Sequence, residues 1–293
     1  MPAVTVDLIK QLRDRTGAGL MDCKGALLAT DGDIEKACDW LREKGLAKAA
    51  KKASRIAAEG LAVAKTCSKC SCGTVVVLEI NCETDFVAKG DGFKKLVDDV
   101  ADIILEKKPA DVAEAKALTE KLFSDATVAM GEKFDLRRFE IIKKEEGQTV
   151  ATYIHMGGKI ATAVVISGDD AEFGKQLAMH IAANNPLYLT KNDIPADEFD
   201  REKNVQIELA KSDEKLAGKP AAMLENIINA KVSKHFAESV LASQPFLMDD
   251  SKTIEQVCSE KKVTVLRFVR YAVGEGIEKR QDDFAAEVMS QVK

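Results

Sequence analysis

The chain has 293 residues, enough for two domains or for one core with appendages. Hydrophobic residues at 46% and charged residues at 31% describe an ordinary globular composition, and no apolar run reaches the length of a membrane-spanning helix. A net charge of −5 argues against nucleic acid as the main partner, because phosphate binding relies on a basic surface.

The amino-terminal stretch MPAVTVDLIKQLRDRTG is amphipathic and carries acids, without a signal-peptide core or an Arg/Ser-rich transit pattern. Seven unevenly spaced cysteines fit a reducing compartment better than a disulfide framework, so a cytoplasmic protein is expected.

Residues 1–55 read as a small helical unit. Leu8, Ile9 and Leu12 give a first helix one apolar stripe, and RTGAG ends it. Met21, Ala26, Leu27 and Leu28 predict a second helix. TDGDIEKACDWLREKG predicts a third, with Asp31 or Asp33 as cap, Ile34, Ala37, Cys38 and Leu41 at helical spacing, and Gly45 as stop. Such short helices bury little alone, so this module is expected to dock. The Ala/Lys-rich segment that follows carries Lys48, Lys51, Lys52 and Arg55, a solvated basic face rather than an RNA site.

From Gly60 the period becomes strand-like. GLAVAKTCSKCSCGTVVVLEIN contains two β-type runs around a polar, glycine-ended centre, which predicts a hairpin. Phe93, Leu96, Val97, Val100, Ile103 and Ile104 then mark one helix face. The same order recurs about eighty residues later, where GGKIATAVVISG predicts a strand and Phe173, Leu177 and Ile181 a helix after it. The core is expected to be α+β, built from a duplicated strand–helix unit. Between Asp197 and Val240 lie two charge-rich segments, with Val205, Leu209 and Leu216 in one and Leu224, Ile227 and Ile228 in the other. The break at GKP predicts an antiparallel helical hairpin with arms roughly 30 Å long. RFVRYAVGEGIEK predicts a strand and a glycine turn, and Phe284, Val288 and Met289 mark a final amphipathic helix.

Chemistry is scarce. The glycine-lysine pairs at Gly158 and Gly218 lack the leading glycine and the following hydroxyl of a phosphate loop, so no direct nucleotide binding is expected. Gly274 and Gly276 read as a tight turn. His155, His180 and His235 lie far apart and belong to no metal or acid–base pattern, which makes structural or interfacial roles the expectation. Cys67, Cys70 and Cys72 form C-x2-C-x-C, and three thiolates on a turn suit zinc if a fourth ligand joins them. Cys82, however, lies at the far end of the next strand, and no second C-x2-C or His pair follows. A turn of small residues is therefore expected, with no metal and no cofactor.

NCETDFVAKG, Asn81 to Gly90, remains. Either Phe86 starts the next core helix and Asp85 caps it, or Phe86 is an exposed aromatic anchor of the kind that dominates interfaces.

EINCETDFVAK, Glu79 to Lys89, resembles a signature of the elongation factor Ts family, the guanine-nucleotide exchange factors of elongation factor Tu. LRDRTGAGLMDCKGAL, Leu12 to Leu27, resembles a second signature, departing at Gly25, where a charged or polar residue is usual. FVRYAVGEGIEK, Phe268 to Lys279, resembles the family's C-terminal stretch, with Ala272 where an acid is common. The resemblance covers essentially the whole chain.

It implies a three-helix ubiquitin-associated-like module (1–55), a core N subdomain (56–145) and a core C subdomain (146–196 with 235–268). It also implies an inserted helical hairpin (197–234) and a C-terminal helical module (269–293). It further implies that Thr84, Asp85, Phe86 and Val87 enter the GTPase domain of elongation factor Tu and disturb its magnesium site. Arg13, Leu20 and Met21 would dock the N-terminal module on that domain, and His155 would face the third domain of Tu. No covalent chemistry is implied, and self-association is left open. A helical adaptor would explain residues 1–55 but leave TDFVAK without a task, and a thiol or zinc protein would rest on the cysteine turn alone.

Overall fold

The computed structural model describes residues 4–52, 54–68, 73–213 and 220–277. It mixes helix and sheet in two compact units, one comprising Met1–Lys143, Met156–Ala161 and Tyr271–Lys293, the other Lys144–His155 and Thr162–Arg270. Among the described residues no helix is long and apolar enough to cross a membrane.

The first unit opens with α1 (Val6–Thr16), α2 (Leu20–Ala29) and α3 (Ile34–Lys52). Thr5 caps α1 by accepting from the Leu8 amide at 3.3 Å, and Gly17 ends it in the left-handed region. Of the two acids before α3, Asp33 supplies the cap, accepting from the Lys36 amide at 3.1 Å. Leu12, Cys23, Ala26, Leu27, Ala37 and Leu41 close the module's core.

β1 (Glu59–Thr66) and β2 (Val75–Cys82) form an antiparallel hairpin in which Glu59 pairs with Cys82 and Thr66 with Val75. Cys82 thus lies at the opposite end of the hairpin from Cys67. Cys70 and Cys72, the rest of the cysteine turn, fall outside the described residues. A one-turn helix, α4 (Asp85–Lys89), follows, then α5 (Asp91–Lys107), α6 (Val112–Met130) and β3 (Asp135–Ile142). Strand order is β1-β2-β3, so β2 is central and buried along its whole length. α5 packs Phe93, Leu96, Val97, Val100 and Ile104 against Val76, Leu78 and Ile80.

Periodicity did not single out α6, because its buried face consists of Ala115, Thr119, Ser124, Ala126 and Thr127 rather than large apolar residues. The same helix corrects the expectation at Gly45. α3 runs through this glycine to Lys52, and an added Cβ there would lie 2.4 Å from Val128 Cγ2 of α6. Glycine is needed for close approach of two helices, not as a stop.

The β2–β3 register shifts between Glu79 and Ile80, leaving Arg137 as the extra residue of a bulge. A bulge breaks the alternation of side chains and re-aims one of them. Here Arg137 Nη1 and Arg138 Nε both reach the buried Glu79 carboxylate, at 3.0 and 2.6 Å. Asn81 donates to it at 3.1 Å, and so does the Gly274 amide at 2.8 Å. Gly274 has φ +73°, and a Cβ would meet Ala58 O at 2.3 Å, so the expected glycine turn is also a tight backbone contact.

The second unit carries β4 (Gln148–His155), all but the first two residues of β5 (Ile160–Ser167), α7 (Ala171–Asn184), α8 (Ala196–Lys211), α9 (Ala221–His235), β6 (Pro245–Phe246), β7 (Asp249–Thr253), α10 (Ile254–Lys261) and all but the last two residues of β8 (Val265–Ala272). Its three-stranded sheet runs β4-β5-β8, again with the second hairpin strand in the middle. Val164, Ile166, Phe173, Leu177 and Ile181 meet Leu241, Phe246 and Ile254 in the core. His180 is buried there as a neutral ring. Its Nδ1 accepts from the Leu247 amide at 3.2 Å, which leaves Nε2–H to donate to Gln244 Oε1 at 2.8 Å.

α8 and α9 pack on each other, but not through the expected seam on α8. Val205 and Leu209 are 47% and 54% exposed, while Phe199 stacks on Phe236 and Ala210 is buried. Phe199 joins Val232, Phe236 and Ile228 in one apolar cluster, so the buried face of α8 is the one that carries Phe199 rather than the Val205–Leu209 stripe. On α9, Leu224, Ile227 and Ile228 are half-buried. At 1.5 Å per residue the described arms span about 24 and 22 Å. Leu216, the hairpin tip at Gly218 and the final helix with Phe284, Val288 and Met289 lie outside the described residues.

Candidate functional site

The central strand β2 ends at the buried Cys82, whose Sγ–H donates to the Thr84 carbonyl at 3.2 Å. Burial pushes the Cys82 thiol up to about 12, so it stays protonated and serves as a weak donor at the root of the motif. Two residues on, Thr84 takes an extended conformation and accepts from the Val87 amide at 3.4 Å. Thr84, not Asp85, is therefore the helix cap. Asp85, Phe86 and Val87 become the first three positions of α4, and only some of them can face the core.

Ala88 is buried and Val87 is packed against the core cluster. Phe86, between the cap and that inward face, is 83% exposed. The reading in which Phe86 starts a core helix is corrected by this geometry: the core helix is α5, and it begins only after Gly90 breaks the chain. Gly90 closes α4 by donating to the Val87 carbonyl at 3.0 Å and sits at the start of α5. Asp85 pairs with Lys89 one turn on, at 2.6 Å, and that hydrogen bond holds its carboxyl below the ordinary range. The helix presents an apolar ring flanked by an ionised carboxylate.

Residues outside the signature hold this turn. Glu132, just after α6, accepts from the Glu83 amide at 3.0 Å, the Thr84 amide at 3.1 Å and the Thr84 hydroxyl at 2.5 Å. Glu83 answers by accepting from the Lys133 amide at 2.8 Å and from Arg55 at 3.0 Å. Lys133 Nζ donates to the Arg55 carbonyl at 2.9 Å, and Lys52 Nζ donates to the Gly131 carbonyl. The last turn of α3, the end of α6 and the root of the motif therefore meet in one polar clasp. An acid 48 residues away leaves no mark in a linear pattern, which is why Glu132 was missed.

The remaining expected site residues fall in two places. Arg13 is exposed on α1, and Leu20 and Met21, in the first turn of α2, are 52% and 77% exposed. These belong to the unit that holds Thr84–Val87. His155 ends β4 in the other unit, with Nδ1 3.2 Å from the Tyr153 hydroxyl. Cys258 is pushed up to about 11 by burial, and Cys23 and Cys38 are raised in the same way, so these thiols are poor nucleophiles and poor metal ligands. Among the described residues no group of His, Cys, Asp and Glu is arranged to hold a metal ion.

A family model described as elongation factor TS matches residues 83–275. The matched stretch opens at Glu83, immediately before the cap and the exposed phenylalanine, and it takes in α4 to β3 and all of β4 to β8, with α8 and α9 between them, before ending at Glu275. With about two thirds of its length matched, the chain belongs to the elongation factor Ts family, whose role is guanine-nucleotide exchange on elongation factor Tu in translation elongation.

Proposed function

We propose that this protein binds the GDP form of elongation factor Tu and releases the nucleotide by inserting α4 beside the magnesium and phosphate site. The observation that carries the reading is Phe86, a large apolar ring 83% exposed on a turn whose neighbours are capped and anchored. Exposing such a ring is unfavourable in the free protein, and burying it in a partner pocket contributes about 1.5–3 kcal/mol.

The rest follows from linkage. GDP and Mg2+ hold each other on the GTPase, and a factor that favours a state with a loosened grip weakens nucleotide by the ratio by which nucleotide weakens the factor. Phe86 supplies the wedge, with Val87 packed at its base and Thr84 fixing its direction. Asp85 competes for the donors and waters that organise the magnesium shell. Arg13, Leu20 and Met21 extend the contact from the three-helix module, and His155 meets a second region of the partner. No bond is made or broken in the factor, and the exchange takes place in the cytoplasm.

The test is release of labelled GDP from Tu with and without this protein, at low and at millimolar Mg2+. Wild type accelerates release. Phe86→Ala lowers complex formation by about 2 kcal/mol or more, and Asp85→Ala impairs release most when Mg2+ is abundant. Full exchange by Phe86→Ala at equal folded concentration would remove the wedge from the mechanism.

A further inference from the structure

A five-residue helix has no cooperative stability of its own, since one turn fixes several dihedrals for a single hydrogen bond. α4 nevertheless has to hold Phe86 in one direction. A capping box is one way to hold a helix start, as in α10: the cap side chain takes the third amide and a Glu or Gln at the third position reaches back to the cap amide. The first half is present, because Thr84 Oγ1 accepts from the Val87 amide. The second half is impossible locally: the third position is Val87, which is committed to the core.

Glu132 supplies the missing half from elsewhere in the chain. Its Oε2 takes the Thr84 amide that a capping-box glutamate would take, and the Glu83 amide as well. Its Oε1 takes the Thr84 hydroxyl proton, which turns the Thr84 lone pair toward Val87. Three donors on one carboxylate hold the entry of the turn, while Val87 and Ala88 hold its inward face.

We propose that Glu132 is a positioning residue for nucleotide exchange, completing the capping box of α4 across the fold and thereby aiming Phe86. The inference rests on the reading of Phe86 as the wedge. Because Glu83 in turn holds Lys133 and Arg55, the same clasp ties the aim of Phe86 to the end of α3. Glu132 touches neither nucleotide nor metal in this account; it acts through Thr84.

A double-mutant cycle on GDP release, with Phe86→Ala, Glu132→Ala and both together, tests the proposal beside thermal melts and amide hydrogen exchange of Glu83 and Thr84. Glu132→Ala is expected to lower exchange at limiting factor by about tenfold, with melting nearly unchanged, and to add less than about twofold once Phe86 is already alanine. Glu132→Gln, which keeps an oxygen for the two amides, should recover much of the activity and of the amide protection. Loss of activity to the same factor in both backgrounds would overturn the proposal, since Glu132 would then act independently of the ring. So would an active Glu132→Ala protein whose Glu83 and Thr84 amides stay protected. Full activity of Phe86→Ala would instead defeat the wedge reading itself, a result independent of Glu132.

Discussion

Two helix starts in this molecule share one grammar and reach opposite ends. In each, a mostly buried strand of the sheet runs out through a short polar turn to a helix N-terminus capped by a side-chain oxygen, with a phenylalanine close behind. In the second unit Asp170 caps α7, accepting from the Phe173 amide at 2.9 Å, and Phe173 is 1% exposed. In the first unit Thr84 caps α4, and Phe86 is 83% exposed. The cap is three residues before Phe173 but two before Phe86. One residue is about 100° of helix rotation, enough to turn a core anchor into an outward one. Where the first unit needs its inward residue, it has Val87, and the ring is left facing outward.

The strongest break of this comparison is a paired truncation. Phe173→Ala should lower stability by about 3–5 kcal/mol, because it empties a packed site against Phe246 and Leu177. Phe86→Ala should leave the melting transition in place. Chemical denaturation of both variants checks this, and equal losses would mean that Phe86 is not outward in solution.

Acid should separate the units next. Burial lowers the His180 pKa below its ordinary 6.5, opposed only partly by the hydrogen bond to Gln244. Burial alone would raise Glu79, but the Gly274 amide, Asn81, Arg137 and the charge of Arg138 outweigh it and hold it below its ordinary 4.5. Both folded-state values are depressed, so each group contributes stability that is present above its unfolded value and lost as pH falls through its folded one. The second unit should therefore weaken below pH 6.5, and the Glu79 contribution should persist until below pH 4.5. Hydrogen exchange measured by mass spectrometry across that range resolves the two. His180→Asn should flatten the first phase, and its persistence would exclude His180 as the cause.

The smallest expected effect sharpens the picture of α4. Lys89→Met removes the main cause of the lowered Asp85 pKa, so an NMR titration should show it rising toward its ordinary 3.8. Melting should not change, because both side chains are solvated and such pairs contribute little.

Much of this molecule could be read without coordinates. Strong periodicity located α1, α5 and α7, because Phe93, Leu96, Val97 and Val100, or Phe173, Leu177 and Ile181, form one face whatever they pack against. The β1–β2 hairpin was legible from its two apolar runs and the glycine between them, and the signature around Phe86 from its unusual company of acid and aromatic. What resisted was decided by a second surface. α6 hides its core face in Ala, Ser and Thr, and α3 passes through Gly45 because Val128 needs the space. α8 turned Val205 and Leu209 outward while Phe199 packed into a cluster with Val232 and Phe236, residues more than thirty positions away.

The same division runs through the site. Residue order determined that a cap, an acid, a phenylalanine and a valine would follow one another after a buried strand. Which of Thr84 and Asp85 became the cap, and hence where Phe86 points, was decided by packing: Val87 and Ala88 sought the core, and Glu132 took the amides that the local chain could not satisfy. A linear pattern records what each residue prefers. Only the folded chain brings together donors and acceptors 48 residues apart and settles which preference prevails.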